Sequence, residues 1–260
     1  MGMKNKCNKT SHSSNTEDTT HFGFSTIRAL DKAKMVKGVF DNVASQYDLM
    51  NDLMSLGIHR LWKSTFIGRL DPQPETKLID VGGGTGDIAF KFLKSGGGQV
   101  TVCDINYEMV NSGRIRAIDK GILTGIDWIN GDAEDLPMLK NTFDAYTTAF
   151  CIRNVTHIEN ALSEAYRVLK PGGHFLCLEF SQVVLPVLKQ IYDTYSLNVL
   201  PWLGKLVADD EEAYRYLVES IRRFPDQGKF TTMITDAGFK HANYQNLSGG
   251  IATIHSAWRI

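Results

Sequence analysis

Acidic and glycine residues stand together in one short stretch, where an apolar segment runs into a turn. Asp80 lies in the apolar run, and glycines follow at every second position, at Gly82, Gly84 and Gly86. Because glycine adopts a positive φ without steric cost and lets a ligand approach the backbone, such a turn predicts a binding loop. A helix that begins near Thr85 would direct its free N–H groups at the ligand. A carboxylate before the first glycine disfavours an anionic pyrophosphate and favours a cationic ligand such as a sulfonium.

Two further polar sites follow predicted strands. Asp104 ends the second strand, about 20 residues past the glycines, where an acid accepts ribose hydroxyls. The alternative is a solvated acid at a strand end. Arg153 and Asn154 follow the fourth strand, which directs them towards the ligand crevice. Arg153 could equally be the structural partner of a nearby carboxylate.

Strand and helix patterns alternate through the middle of the chain, which indicates an α/β fold with a parallel sheet and crossover helices. The predicted strands cover residues 77–81, 99–103, 126–129, 145–149 and 174–179, and the helices 87–94, 107–119 and 158–169. Thr156 is the predicted N-cap of the last helix, and the Pro-Gly-Gly at 171–173 should end it.

The predicted domain organisation is a polar tail followed by a single domain. Residues 1–25 should be disordered, and residues 26–260 should form the domain. Within it, residues 26–70 form an N-terminal helical cover. Residues 181–227 are a helical insertion, and 239–246 with 251–259 should close the sheet as an antiparallel pair.

Composition narrows the functional classes. The net charge is -1 without a clustered excess of lysine and arginine, so no nucleic-acid partner is expected. The four cysteines form no C-x-x-C pair, and no metal site is predicted. No run is long and apolar enough to span a bilayer. The first 20 residues lack the apolar core of a secretory signal, which favours a cytoplasmic location.

The glycine turn with its acid resembles the S-adenosylmethionine loop of class I methyltransferases. Several longer stretches are similar to the UbiE-type C-methyltransferases of ubiquinone and menaquinone biosynthesis, among them Tyr-Asp-Leu-Met-Asn-Asp at 47–52 and Ile-Arg-Asn-Val at 152–155. Further stretches are 20–24, 39–44, 55–63, 166–173, 178–181 and 214–222. The resemblance implies a Rossmann-like, mostly parallel seven-stranded sheet with a C-terminal antiparallel strand. It also implies C-methylation of a polyprenylated benzoquinol or naphthoquinol, with S-adenosylmethionine as methyl donor.

The resemblance assigns roles to individual positions. Arg153 and Asn154 match the pair proposed to engage the quinol ring, and Arg153 suits stabilisation of a phenolate. Cys151 stands where the family often has glycine, and Ala149 where it often has serine. The implied cofactor-binding residues are Asp80, Gly82, Gly84, Thr85, Gly86, Asp104, Asp132, Ala133 and Tyr47. For Asp132 the alternative is an Asx-type turn, and for Tyr47 an ordinary core position.

The partners follow from the implied substrate. A polyprenyl quinol needs an apolar channel, which the apolar side chains of 183–207 could supply together with a peripheral membrane contact. A dimer interface or plain core is the alternative for this segment, and a quinone-biosynthesis complex is a further partner to consider. The expected location is then cytoplasmic, peripheral at the inner membrane, or the mitochondrial matrix in a eukaryote.

Three other functions compete with this interpretation. A nicotinamide dehydrogenase would need a pyrophosphate-compatible turn, and Asp80 argues against it. A non-catalytic scaffold of a quinone-biosynthesis complex would keep the pocket for stability alone. A methyltransferase for another small phenolic acceptor would differ at 150–155 and 214–222, which here match the quinone family.

Overall fold

The computed structural model describes residues 18–43, 47–55, 57–196 and 211–260. Its centre is a seven-stranded sheet. The strands of that sheet are β3 (Lys77–Val81), β4 (Gln99–Asp104), β5 (Ile126–Asn130), β6 (Phe143–Ala149), β7 (Leu169–Phe180), β8 (Lys240–Leu247) and β9 (Ala252–Trp258). Two shorter strands, β1 (Thr19–Phe22) and β2 (Ser25–Arg28), form a separate antiparallel hairpin.

The order of the large sheet is β5-β4-β3-β6-β7-β9-β8. Strands β3 to β7 are parallel to one another, whereas β9 is antiparallel to both β7 and β8. The chain moves outward from β3 to β5 and then returns to the other side of β3 with β6. This reversal opens a crevice at the carboxyl ends of the central strands, where α/β sheets bind their ligands. The predicted α/β sheet with its C-terminal antiparallel strand is confirmed.

Helices cover both faces of the sheet. They are α1 (Ala29–Val43), α2 (Tyr47–Ser55), α3 (His59–Leu70), α4 (Asp87–Lys94), α5 (Tyr107–Asp119), α6 (Ile158–Val168), α7 (Pro186–Thr194), α8 (Glu211–Arg223) and α9 (Gln227–Asp236). Side chains alternate between the faces along each strand. Leu78 therefore packs into a core with Phe66 of α3 and Leu217 of α8, while its neighbour Ile79 packs into a second core with Leu162 of α6.

The element boundaries agree closely with the sequence prediction in the central part of the chain. Strand β3 and helices α4 and α5 have the predicted limits. The predicted N-cap of α6 is wrong, because the cap is His157 and not Thr156. The backbone N–H groups of both residues donate to Oε1 of Glu134, at 2.6 and 3.1 Å, so a distant carboxylate holds the segment that enters the helix. Helix α6 ends at Val168, and the Pro-Gly-Gly at 171–173 lies inside β7 beside a register shift.

The sequence predicted a disordered tail over residues 1–25, but the last residues of this range are part of a hairpin. Residues 1–17 lie outside the described part, but residues 19–25 form β1, the turn and the start of β2. The tertiary structure stabilises this hairpin, because Phe22 stacks on Tyr216 of α8 with ring centroids 4.1 Å apart. The amide of Phe24 donates to Glu219 of the same helix at 3.0 Å. These contacts join segments almost 200 residues apart, which local composition does not reveal.

Candidate functional site

A cleft with about 820 Å³ of empty space, counting its open mouth, lies at the carboxyl ends of β3, β4 and β6. The first turn after β3, the loop after β4 and the loop after β6 form its floor, and α1 lies over it. The lining residues include Ala33, Val36, Lys37, Phe40, Gly82, Gly84, Asp104, Ile105, Met109, Asp132, Ala133, Glu134, Cys151 and Asn154.

The glycine turn needs its glycines for two physical reasons. Gly82, Gly84 and Gly86 have φ values of 66°, 53° and 84°, in the left-handed region that disfavours other residues. A Cβ atom on Gly82 would lie 2.1 Å from Sγ of Cys151, and so the loop after β6 approaches the turn too closely for any side chain. Gly82 and Gly84 line the cleft, whereas Gly86 precedes α4 and packs against Trp128.

Asp104 holds the turn from the neighbouring strand. Its Oδ2 accepts from the backbone N–H of Gly84 at 2.9 Å, and its Oδ1 accepts from that of Asn106 at 2.8 Å. Burial raises the pKa of Asp104 to about 6, although these two hydrogen bonds oppose the rise. The carboxylate lies on the cleft, as the sequence predicted for a residue that accepts ribose hydroxyls.

Asp80 lies beneath the turn rather than on the cleft wall. Its side chain is fully buried, and Oδ1 accepts from the hydroxyl of Thr147 at 2.8 Å. Burial, with smaller contributions from the charges of Asp104 and Asp87, raises the pKa of Asp80 to about 7 against the Thr147 hydrogen bond. Within the described part of the chain, Oδ2 has no hydrogen-bond partner. A buried, unpartnered carboxylate oxygen beside a glycine turn fits a ligand that carries positive charge.

Asp132 lies on the cleft and also forms the turn that was its alternative interpretation. Its side chain lines the cleft beside Ala133. Its Oδ1 also accepts from the backbone N–H of Glu134 at 2.9 Å, which is the Asx-type turn considered as the alternative. The turn therefore sets the direction in which the 131–134 loop passes the cleft.

Thr85, another predicted cofactor residue, does not line the cleft, and the position of Tyr47 relative to the cleft is not described. Thr85 is buried, and its hydroxyl accepts a hydrogen bond from the guanidinium of Arg116 on α5. Thr85 thus stabilises the junction of α4 and α5 behind the turn. Tyr47 is the first residue of α2, and its side chain lies outside the described residues.

The structure separates the two predicted catalytic residues. Asn154 lines the cleft, whereas the side chain of Arg153 turns away from it into the interior. Nη1 of Arg153 lies 2.7 Å from Oε1 of Glu179, and both side chains are almost fully buried. The same nitrogen donates to the carbonyl of Phe150 at 2.7 Å. These contacts support the structural alternative for Arg153, because its charge is compensated inside the protein.

The residues of α1 that cover the cleft were predicted only as part of a helical segment. Val36 and Phe40 are spaced four residues apart on the face of α1 that meets the cleft. This spacing is typical of one apolar face of a helix, but it does not indicate which surface the face covers. Ile105 and Met109, which line the cleft beside Asp104, had no distinguishing signal in the sequence.

Comparison with solved structures defines the class of the fold. An S-adenosylmethionine-dependent methyltransferase from Thermotoga maritima superposes with a TM-score of 0.62 over 86% of this chain and 100% of that chain, at 19% sequence identity. The fold, with this sheet order, is therefore that of the class I, S-adenosylmethionine-dependent methyltransferases.

Comparison with known sequences then defines the family. The model of the ubiE/COQ5 methyltransferase family matches residues 28–259. The chain is 55% identical over 249 residues to the ubiquinone/menaquinone biosynthesis C-methyltransferase UbiE of Cereibacter sphaeroides, which covers 95% of this chain and 100% of that protein. It is 51% identical to the mitochondrial 2-methoxy-6-polyprenyl-1,4-benzoquinol methylase of Dictyostelium discoideum, over 95% of this chain and 88% of that protein. The chain belongs to the ubiE/COQ5 methyltransferase family, and it is an enzyme that uses S-adenosylmethionine.

Proposed function

We propose that this enzyme methylates a ring carbon of a polyprenylated benzoquinol or naphthoquinol, in ubiquinone or menaquinone biosynthesis. The observation that carries the proposal is the 55% identity over the whole length of a curated C-methyltransferase named for both pathways. Identity at this level over a complete domain is consistent with the same acceptor class. The competing scaffold would not need a preorganised cleft, and here the carboxylate of Asp104 is already oriented by two backbone amides.

The cofactor end of the cleft has the chemistry that S-adenosylmethionine requires. The carboxylate of Asp104 suits the ribose hydroxyls, and the 131–134 loop with Asp132 and Ala133 suits the adenine edge. Gly82 and Gly84 allow the methionine part to lie against the backbone. Asp80 and Asp104 offset positive charge on this side of the cleft. The bound cofactor supplies an electrophilic methyl group.

The acceptor end must favour a phenolate, because a ring carbon is a weak nucleophile until its hydroxyl gives up a proton. Asn154 supplies a neutral amide on the cleft wall, and a donor aimed at developing oxyanion charge contributes on the order of 3 kcal/mol. Arg153 is adjacent, but the buried carboxylate of Glu179 compensates its charge. We therefore assign the direct contact to Asn154 and a supporting role to Arg153, which holds the 150–154 loop through the Phe150 carbonyl.

The prenyl tail requires an apolar surface near the acceptor end. Val184, Leu185 and Val187 are exposed at the start of α7, in the segment predicted to form the prenyl channel and contact the membrane. Residues 197–207 of that segment lie outside the described residues. In the described ranges, no helix combines the length and apolar character needed to cross a bilayer. We propose a peripheral contact through these three side chains, with a homodimer or a quinone-biosynthesis complex as the competing use of the surface.

Calorimetric titration followed by turnover tests the proposed function. The purified protein should bind S-adenosylmethionine and not NADH, and it should transfer the methyl group to a demethylated polyprenyl quinol in detergent or vesicles. Asp104→Ala should abolish binding, whereas Asp127→Ala, on the exposed side of neighbouring β5, should not. Binding without turnover of any quinol would favour the scaffold, and turnover of a small phenol alone would favour the other acceptor class.

A further inference from the structure

Asn154 has a specific partner in the helical insertion. The hydroxyl of Tyr216 on α8 donates to Oδ1 of Asn154 at 2.9 Å, and both residues are buried. Asn154 lines the cleft, whereas Tyr216 lines a second cavity on the other side of the 154–156 loop. Because Tyr216 engages Oδ1, the Nδ2 amide group is the end of the side chain that this hydrogen bond leaves available. A carboxamide held in this way presents a donor, which is what a phenolate needs.

Tyr216 is itself held by the N-terminal hairpin. The rings of Phe22 and Tyr216 stack with centroids 4.1 Å apart and planes 17° from parallel. The hairpin is fixed to α8 by the amide of Phe24, which donates to Glu219, and to the loop after β6 by Thr20, whose hydroxyl donates to the carbonyl of Thr156 at 3.3 Å. The tyrosine ring therefore has packing on its face and a hydrogen bond at its tip, which leaves it one orientation.

Helix α8 contacts both Arg153 and Asn154, which lie in the loop that follows β6. Ser220 lies one helical turn after Tyr216 on the same face, and its hydroxyl accepts from Nε of Arg153 at 3.3 Å. One helix of the insertion thus touches the amide of Asn154 and the guanidinium of Arg153. This arrangement makes α8 a supporting layer for the acceptor end of the cleft and not only a cover.

We propose that Tyr216, held by Phe22, is a positioning residue for methyl transfer: it fixes the amide of Asn154 with its donor facing the acceptor. The inference rests on the proposed function, because Asn154 is the group assigned to the acceptor. It also gives the N-terminal hairpin a role in the reaction, since loss of the Phe22 ring leaves Tyr216 free to rotate. Neither residue touches the cofactor end, and so the affinity for S-adenosylmethionine should not depend on them.

A double-mutant cycle with the full-length protein tests the proposal. Tyr216→Phe removes one hydroxyl and should lower kcat about tenfold, which corresponds to about 1.4 kcal/mol, with the Kd for S-adenosylmethionine unchanged within about twofold. Phe22→Leu should lower kcat by a smaller factor. Asn154→Ala should lower kcat at least as much as Tyr216→Phe, and the double variant should equal Asn154→Ala, because residues that act as a unit are not additive.

A matched control separates positioning from a general loss of packing. Tyr166→Phe removes a hydroxyl from α6, where the ring packs on Phe239 away from the cleft, and should leave kcat unchanged. Tyr216→Phe with normal turnover would overturn the proposal. Losses in Tyr216→Phe and Asn154→Ala that multiply in the double variant would also overturn it, because they would show independent roles.

A measurement that does not depend on turnover tests the positioning role of Tyr216 separately from the proposed function. The side-chain NH2 resonances of Asn154, assigned by their loss in Asn154→Ala, should shift or broaden in Tyr216→Phe and stay unchanged in Tyr166→Phe. Unchanged Asn154 resonances in Tyr216→Phe would refute the positioning role whatever the activity. If the wild-type enzyme methylated no quinol, the proposed function would fail, and these resonances would still decide whether Tyr216 orients Asn154.

Discussion

The backbone N–H of Gly84 donates a 2.9 Å hydrogen bond to Oδ2 of Asp104, and this bond joins the turn after β3 to the end of β4. The second oxygen of the carboxylate is held by the amide of Asn106. Two neighbouring strands therefore present one surface to the cleft before any ligand enters. Because the carboxylate is already oriented, binding loses little free energy to its reorganisation.

The first prediction concerns the close approach behind the glycine turn. Gly82→Ala should lower the affinity for S-adenosylmethionine at least tenfold and destabilise the fold by about 2 kcal/mol, because the new Cβ would overlap Cys151 at a φ of 66°. Adding Cys151→Gly, the residue common in the family, should recover part of the loss by removing the overlapping atoms. Gly68→Ala on α3 is the control, since its Cβ would meet nothing within 4 Å and should be neutral or stabilising. Calorimetry and chemical denaturation measure both effects, and an undiminished affinity in Gly82→Ala would contradict the close approach.

The second prediction concerns the pH dependence that Asp80 produces. Burial raises the pKa of Asp80 to about 7, above its unfolded value, so its contribution to stability is complete at low pH and is lost as the pH rises through 7. Asp80→Asn keeps the oxygen that accepts from Thr147 but cannot ionise. The variant should therefore gain stability relative to the wild type by about 2 kcal/mol between pH 5 and pH 8.

Denaturant titrations of both proteins across that pH range measure the difference. Asp127→Asn, on the exposed face of β5, should follow the wild type at every pH. Binding of S-adenosylmethionine should change in the opposite sense, since the cationic ligand favours an ionised Asp80. If the free energies of unfolding of Asp80→Asn and the wild type changed in parallel with pH, the prediction would be wrong, because the carboxyl of Asp80 would then be ionised across the whole range.

The third prediction concerns the ion pair behind the turn. Nζ of Lys63 donates to Oδ2 of Asp87 at 2.7 Å, and the lysine side chain is 4% exposed. Lys63→Met should lower the free energy of unfolding by about 2 kcal/mol, because it leaves the carboxylates under the turn without their buried cation. Lys170→Met breaks the pair with Asp144, in which both side chains are more than a third exposed, and should cost under about 1 kcal/mol. Equal losses of unfolding free energy in Lys63→Met and Lys170→Met would show that burial does not strengthen the ion pair of Lys63.

The fourth prediction tests the structural role of Arg153. Glu179→Gln should destabilise the protein by about 3 kcal/mol, because it leaves a buried guanidinium uncompensated. Arg153→Met combined with Glu179→Met should be more stable than either single variant, since it removes both buried charges. Denaturation of the wild type, the two single methionine variants and the double variant measures the coupling. Additive losses would show that the pair is not coupled, and Arg153 would then return as a candidate for direct contact with the phenolate.

The fifth prediction concerns the exposed apolar side chains at the start of α7. Val187→Asp combined with Leu185→Asp should reduce co-sedimentation with vesicles and turnover of long-tailed quinols, because charge opposes burial in the lipid interface. The side chains of Val187 and Leu185 are 73% and 53% exposed, so the fold should tolerate the change. Leu139→Asp, on an exposed loop elsewhere, is the control. A change in oligomeric state with normal vesicle binding would favour the dimer interface.

The residue pattern by itself determined the central fold and the location of the cleft. The limits of β3, α4 and α5 follow from apolar runs, glycines and caps that lie within a few residues of each element. Asp104 was found in the same way, because the carboxyl end of a strand next to a glycine turn faces the crevice in any sheet of this topology. These signals lie within a few residues of one another, and the different periodicities of strands and helices allow each element to be recognised from them.

Only the tertiary structure decided what several side chains do. Arg153 turns inward because Glu179 and Ser220, 26 and 67 residues away, supply its partners. The hydroxyl of Thr85 accepts from Arg116, and Glu134 holds the backbone amides of Thr156 and His157 just before α6. The sequence placed Arg153 and Thr85 near the carboxyl edge of the sheet, but the direction of a polar side chain depends on which partner from a distant segment lies beside it. Burial then penalises every orientation in which its hydrogen bonds are not made.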